Sequence, residues 1–162
     1  MVDDKKTLSG TVSFLTSEAF KYHQKGNLKE AKNIYEQILK HKPMHFDALQ
    51  LLGMLYGQIN EKDKAIKLLE LALQIKPDNA ATLNNYGVIL TEVNRTNDSY
   101  EALDKATNIK PDYAEAYSNK GNALKLLGKY DDAVKAYSKA IQLKPNYAEA
   151  YNNRGVIYKE LN

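Results

Sequence analysis

Few side chains in this chain of 162 residues stand at spacings that could do chemistry. His41 and His45 are four apart, the offset that would put two imidazoles on one helix face around a shared metal ion. Pro43 lies between them and breaks such a helix, so the pair reads as linker and no metal site is expected. His23 reads as polar lining. Asp131 and Asp132 are adjacent acids, but at the start of a helix they complement its dipole and need not be a general acid and base. Asn94-Arg95-Thr96 and Asn97-Asp98-Ser99 match the glycosylation sequon, without the secretory signal that would give it meaning. The chain has no cysteine, hence no disulfide, thiolate metal site or cysteine nucleophile. Neither a glycine-rich phosphate loop nor a nucleophile–base pair is present. The expectation is a chain that is not an enzyme and carries no cofactor.

What the sequence does carry is a period. Pro43, Pro77, Pro111 and Pro145 follow one another at intervals of 34 residues. A fixed period of this length marks one supersecondary unit stacked repeatedly. With each proline at place 32, the repeats are 12–45, 46–79, 80–113 and 114–147, with a partial fifth at 148–162. Residues 1–11 fall outside the frame and are expected to be a flexible segment.

Small residues recur at place 8 (Ala19, Gly53, Gly87, Gly121, Gly155) and at place 20 (Ala31, Ala65, Ser99, Ala133). Place 27 holds Ile38, Ala72, Ala106 and Ala140. Large residues fill place 4 (Leu15, Leu49, Leu83, Tyr117, Tyr151) and place 24 (Tyr35, Leu69, Leu103, Tyr137). Places 4, 8 and 11 share one helix face, as do 20, 24 and 27. Each unit is therefore read as two amphipathic helices whose small residues let the backbones approach while large ones fill the holes. Gly26, Asn60, Asn94 and Gly128 at place 15 suit a left-handed helix end. Asp112 with Glu115, and Asn146 with Glu149, have the offset of a capping box. Arg95 to Ser99 departs from the pattern, so the second helix of repeat 3 is expected to be the least stable.

This pattern resembles the tetratricopeptide repeat (TPR) family over residues 12–162. The resemblance implies an all-α solenoid, a right-handed superhelix of helix-turn-helix repeats whose first helices line a concave groove. The groove would bind an extended peptide segment of a protein partner. In the family, places 5 and 6 tend to face that groove. Here they hold Gln50, Asn84, Ser118 and Asn152 at place 5, and Asn85, Asn119 and Asn153 at place 6. An asparagine amide both donates and accepts, so a ladder of them could pair with a peptide backbone of any sequence. On this reading Asn85→Ala with Asn119→Ala weakens binding and leaves melting intact, while Tyr117 and Tyr151 are interior packing. The carboxylate clamp that some family members close on acidic chaperone tails is not matched. Gln50 and Met54, or Asn84 and Val88, stand at its first pair of places, and Glu115 and Glu149 stand where cations are needed.

A narrower resemblance, to the N-terminal repeats of O-linked N-acetylglucosamine transferases and SPINDLY-like bacterial proteins, rests on the asparagine stripe with His45 to Gly53 and Leu83 to Gly87. It implies a substrate-recruiting arm of a glycosyltransferase as one alternative. The other is a self-associating scaffold, a homodimer through 148–162. Val156, Ile157 and Leu161 leave the last helix apolar where no partner helix follows, which reads as a fragment of a longer protein in preference to a surface that pairs with another copy.

Hydrophobic residues make up 43% and charged residues 27%, ordinary for a globular chain. A net charge of +3, from 23 basic and 20 acidic residues, is too small to imply nucleic acid or a membrane surface. It is uneven, however: repeats 1 and 4 each set six lysines against three acids, which reads as a solvated convex face with, as the alternative, a modest preference for acidic partner segments. No apolar run approaches the ~18 residues of a membrane helix. Met1 to Gly10 lacks the apolar core of a secretory signal, so the cytoplasm is the expected location.

Overall fold

The place-15 residues set the chain reversals. Gly26, Asn60, Asn94 and Gly128 all have positive φ, at 79°, 65°, 60° and 71°. Each turn closes with the same two backbone bonds. In the first, the Gly26 amide donates to the His23 carbonyl (3.1 Å) and the Asn27 amide to that of Tyr22 (2.9 Å). In the last, Gly128 donates to Lys125 (3.0 Å) and Lys129 to Leu124 (2.9 Å). This is a Schellman motif, which satisfies the orphan carbonyls of the helix end and needs a residue that tolerates the left-handed region.

In this computed structural model the backbone is described for residues 2–161 and side chains for 10–161. The described residues form nine helices and no strand. They fall into two compact units, Met1–Pro77 and Asp78–Asn162. The first holds α1 (Val2–Gln24), α2 (Leu28–His41), α3 (Phe46–Gln58) and α4 (Lys62–Ile75). The second holds α5 (Ala80–Glu92), α6 (Thr96–Ile109), α7 (Ala114–Leu126), α8 (Tyr130–Leu143) and α9 (Ala148–Glu160). The α1 backbone is helical from Val2, well ahead of the repeat frame. No proline interrupts Val2 to Gly10.

Within each unit the hairpins pack through the predicted small-on-large contact. A Cβ placed on Gly53 would lie 2.9 Å from Leu69 Cγ, and one on Gly87 would lie 2.6 Å from Leu103 Cγ. On Gly121 it would meet three ring carbons of Tyr137 at 2.6–2.8 Å. Leu69, Leu103 and Tyr137 are themselves fully buried. Burial pushes the Tyr137 phenol well above its ordinary pKa, and its hydroxyl donates to Asn122 Oδ1 at 2.7 Å.

Repeat 3 compensates for its departures. Ser99, buried where the other repeats have alanine, donates to the Gly87 carbonyl at 2.7 Å and lies 2.7 Å from the Thr91 hydroxyl. The polar atom is thus satisfied inside the hairpin, and α6 runs the same 14 residues as α4 and α8.

Two expectations are corrected. The capping boxes do not form, because the N-caps of α7 and α9 are Tyr113 and Tyr147, which make no side-chain cap bond. The cap sits at place 34, one residue after Asp112 and Asn146, so Glu115 and Glu149 are out of register. Where place 34 carries a reachable acceptor it does cap: His45 Nδ1 accepts from the Ala48 amide (3.2 Å) and Asn79 Oδ1 from that of Thr82 (2.9 Å). His45 is therefore a helix cap, consistent with the linker reading of the His41–His45 pair. Tyr151 is not interior: it is 46% exposed, because no second helix stands beside α9 among the described residues. Ile157, by contrast, is fully buried against α8, in one cluster with Leu124 and Tyr137.

Candidate peptide-binding face

The first helices of the second unit stand side by side, α5 touching α7 and α7 touching α9. The asparagines at places 5 and 6 lie along this row, and two of them bond each other. Asn119 Nδ2 donates to Asn84 Oδ1 at 2.9 Å, joining place 6 of one repeat to place 5 of the one before. Asn153 Nδ2 donates to Asn122 Oδ1 at 3.0 Å, the same oxygen that accepts from the Tyr137 hydroxyl. Asn153 is thus anchored through Asn122 to the buried Tyr137.

These bonds sort the sequence-predicted residues. Asn84 is only 6% exposed and Ser118 is fully buried, so neither presents a surface to a ligand. Place 5 is enclosed in these two repeats because the next first helix covers it. Asn152, at the same place on α9, has no such cover and is exposed. Asn85, Asn119 and Asn153 are half-buried. Asn85 and Asn152 make no side-chain bond to the described protein, leaving each a free carboxamide. Asn119 and Asn153 each spend an N–H on a neighbour, which fixes the plane of the amide.

Since the buried Asn84 oxygen depends on Asn119, the Asn85→Ala, Asn119→Ala pair would not leave melting intact. Removing the partner of a buried acceptor costs about 1–3 kcal/mol.

In the first unit, Gln50 lines a cleft of 430 Å³ together with Thr16, Ser17, Phe20, His45 and Leu51. Places 5 and 6 of α1 and α3 therefore converge on open space, as the family pattern implies. His23 does not line that cleft. It is 9% exposed, with Nε2 2.9 Å from Gln58 Oε1 and its ring edge-on to Tyr35.

At the end of the α5–α7–α9 row, Glu115 is tied to Lys144 at 3.0 Å. The Lys144 hydrogen bond holds its carboxyl below the ordinary pKa. Among the described residues no group of three or more His, Cys, Asp or Glu could hold a metal ion. No helix among them is long and apolar enough to cross a membrane.

Paired helices linked by identical left-handed turns, with their first helices in a row, define a helical-repeat scaffold. Two models of one family match it, a "Tetratricopeptide repeat" model over residues 22–73 and a "TPR repeat" model over 87–128 and 121–162. The chain belongs to the tetratricopeptide repeat family and has the build of a protein-interaction scaffold. No curated protein sequence matches it. Among solved structures, that of MamA superposes with a TM-score of 0.82 at 26% identity, over 93% of this chain and 82% of that one. YrrB, described as a TPR protein with an unusual peptide-binding site, gives 0.78 at 21% over 90% and 75%, a likeness of fold alone. The first TPR of Spaghetti (RPAP3), bound to the HSP90 peptide SRMEEVD, gives 0.68 at 26% over 70% and 90%.

Proposed function

We propose that this chain is a non-catalytic interaction module and that the α5–α7–α9 row holds an extended peptide segment by its backbone. The observation that carries this reading is the pair of amide bonds, Asn119 to Asn84 and Asn153 to Asn122, which orient one carboxamide per repeat before any ligand arrives. Preorganised polar groups bind without the entropy cost of ordering them. Asn85 and Asn152 supply carboxamides that the fold does not use. Occupants of the RPAP3 type, acidic tails, are disfavoured because Glu115 and Glu149 stand at the places a carboxylate clamp gives to cations.

The test uses Asn85→Ala with Asn152→Ala, which touches no internal bond. A peptide selected from a random library on the wild-type protein is expected to bind the double variant at least tenfold more weakly. The circular-dichroism melt should be unchanged. Equal affinity for the two proteins would reject the backbone-ladder reading.

A second reading, self-association through α9, is favoured by Gly155. A Cβ there would meet nothing within 4 Å, whereas Gly53, Gly87 and Gly121 each hold a large side chain. The surrounding face exposes Tyr151, Val156 and Leu161 by 46%, 39% and 54%. Light scattering is expected to give about twice the 18.3 kDa of one chain, and Tyr151→Lys with Val156→Lys should restore the single mass. One-chain mass at every concentration would dismiss this reading.

A further inference from the structure

The outer side of the second unit carries a recess that shares no residue with the peptide row. It measures 380 Å³ and opens between α6 and α8 over α7. Its floor is apolar, made by the buried Leu124 and Ala136, and Tyr100 and Tyr117 form aromatic walls. Four lysines, Lys120, Lys129, Lys135 and Lys139, line it with a single acid, Asp132.

Two of those ammonium groups are already neutralised. Lys120 pairs with Asp104, and Lys135 pairs with Asp132 at 2.9 Å. The other two make no direct ion pair, although Lys129 acts on Asp132 from farther off. Lys129 Nζ lies over the Tyr100 ring at 5.4 Å, and Lys139 donates to the Gln142 side-chain oxygen at 3.1 Å. The recess therefore keeps two ammonium groups without a direct counter-ion above an apolar floor.

The recess recurs one repeat earlier, at 350 Å³, but there Arg95 pairs with Asp98, Lys105 pairs with Asp78 and Glu101 replaces Lys135, so what sets the fourth repeat apart is its unpaired charge. The first unit departs further. At the matching places it has Leu52 for Lys120, Leu71 for Lys139 and Glu61 for Lys129, and Tyr56 in place of the smaller Leu124. Leu52 is 2% exposed and Tyr56 7%. The Tyr56 ring lies between Lys32 and Lys64, each about 5.4 Å away, and its hydroxyl donates to Glu36 at 2.7 Å. Apolar and aromatic bulk fills there what lysines line in the second unit.

We infer that this recess is a docking site for an acidic peptide segment, one in which carboxylates flank an apolar or aromatic residue. The apolar side chain would rest on Leu124 and Ala136 between Tyr100 and Tyr117, and the carboxylates would meet Lys129 and Lys139. Charge complementarity selects the occupant: two unpaired cations at the rim of an apolar pocket discriminate against basic and neutral segments.

The probe is a fluorescein-labelled peptide of alternating Glu with Leu or Phe, followed by anisotropy on the full chain at low salt. Lys129→Glu with Lys139→Glu is expected to weaken binding at least tenfold. Lys64→Glu with Lys67→Glu, on the corresponding helix of the first unit, should change it less than twofold. Circular dichroism checks that both pairs keep full helicity. Equal weakening by the two pairs would mean general charge attraction and would overturn the site, as would no weakening by the first pair. Displacement of the probe by inorganic phosphate as readily as by unlabelled peptide would also overturn it, in favour of a phosphate site.

Discussion

Replacing Tyr137 with alanine is expected to lower stability by about 3–5 kcal/mol, the usual cost of deleting a buried aromatic. The ring is fully buried in the cluster that joins α8 to α9 through Ala140, Ala150 and Ile157. It also packs on the bare backbone of Gly121, so its loss leaves a cavity that α7 and α8 can close only by moving together. The hydroxyl adds a separate contribution. It bonds to Asn122, which in turn accepts from Asn153 of the candidate ligand face. Tyr137→Phe removes that bond but leaves Asn122 with Asn153, so a cost of only about 1 kcal/mol is expected. Thermal melts of the two variants separate packing from hydrogen bonding. A Tyr137→Ala protein that melts with the wild type would show that the α7–α8 hairpin is not held as described.

Opposite outcomes are expected from adding side-chain bulk at two equivalent glycines. In Gly121→Val the new Cβ would overlap the enclosed Tyr137 ring. The cost should reach the upper end of the overpacking range, about 3 kcal/mol. Alanine is a gentler test, since Ala19 and Tyr35 at the same places of α1 and α2 are both fully buried, so a helix pair can accommodate one methyl. Gly155→Ala meets open space and relieves the helix of glycine's backbone entropy, worth about 1 kcal/mol. It should leave the melting temperature unchanged or raise it. A melt in which Gly155→Ala is as damaging as Gly121→Val would mean that something in solution already occupies the face of α9.

The turns and hairpin packing were legible in the sequence because each rests on a rule about a single place. A left-handed residue must be Gly or Asn, and a close helix approach must have a small residue facing a large one. The cap register was not legible. Asp112 and Tyr113 both precede the helix, and only the backbone shows which of them it starts from. Nor could the sequence show that Asn84 and Ser118 are covered. The Asn119 to Asn84 bond spans 35 residues and depends on how far the next first helix leans over place 5. The stripe was visible, but its division into structural and free amides was not. The recess between α6 and α8 left only a trace, the excess of lysine in repeat 4, and it took the filled counterpart in the first unit to give that excess a shape.

The four identical chain reversals bear on how the protein reaches its fold. Each is closed by bonds spanning three and five residues, and the glycine-to-large contact it permits joins residues 16 apart, as Gly53 to Leu69 or Gly121 to Tyr137. Little loop entropy is lost before such contacts begin to stabilise the chain. Low contact order of this kind goes with fast folding. A repeat array of this sort has no obligatory starting point, since any one hairpin can form first and serve as template for its neighbour.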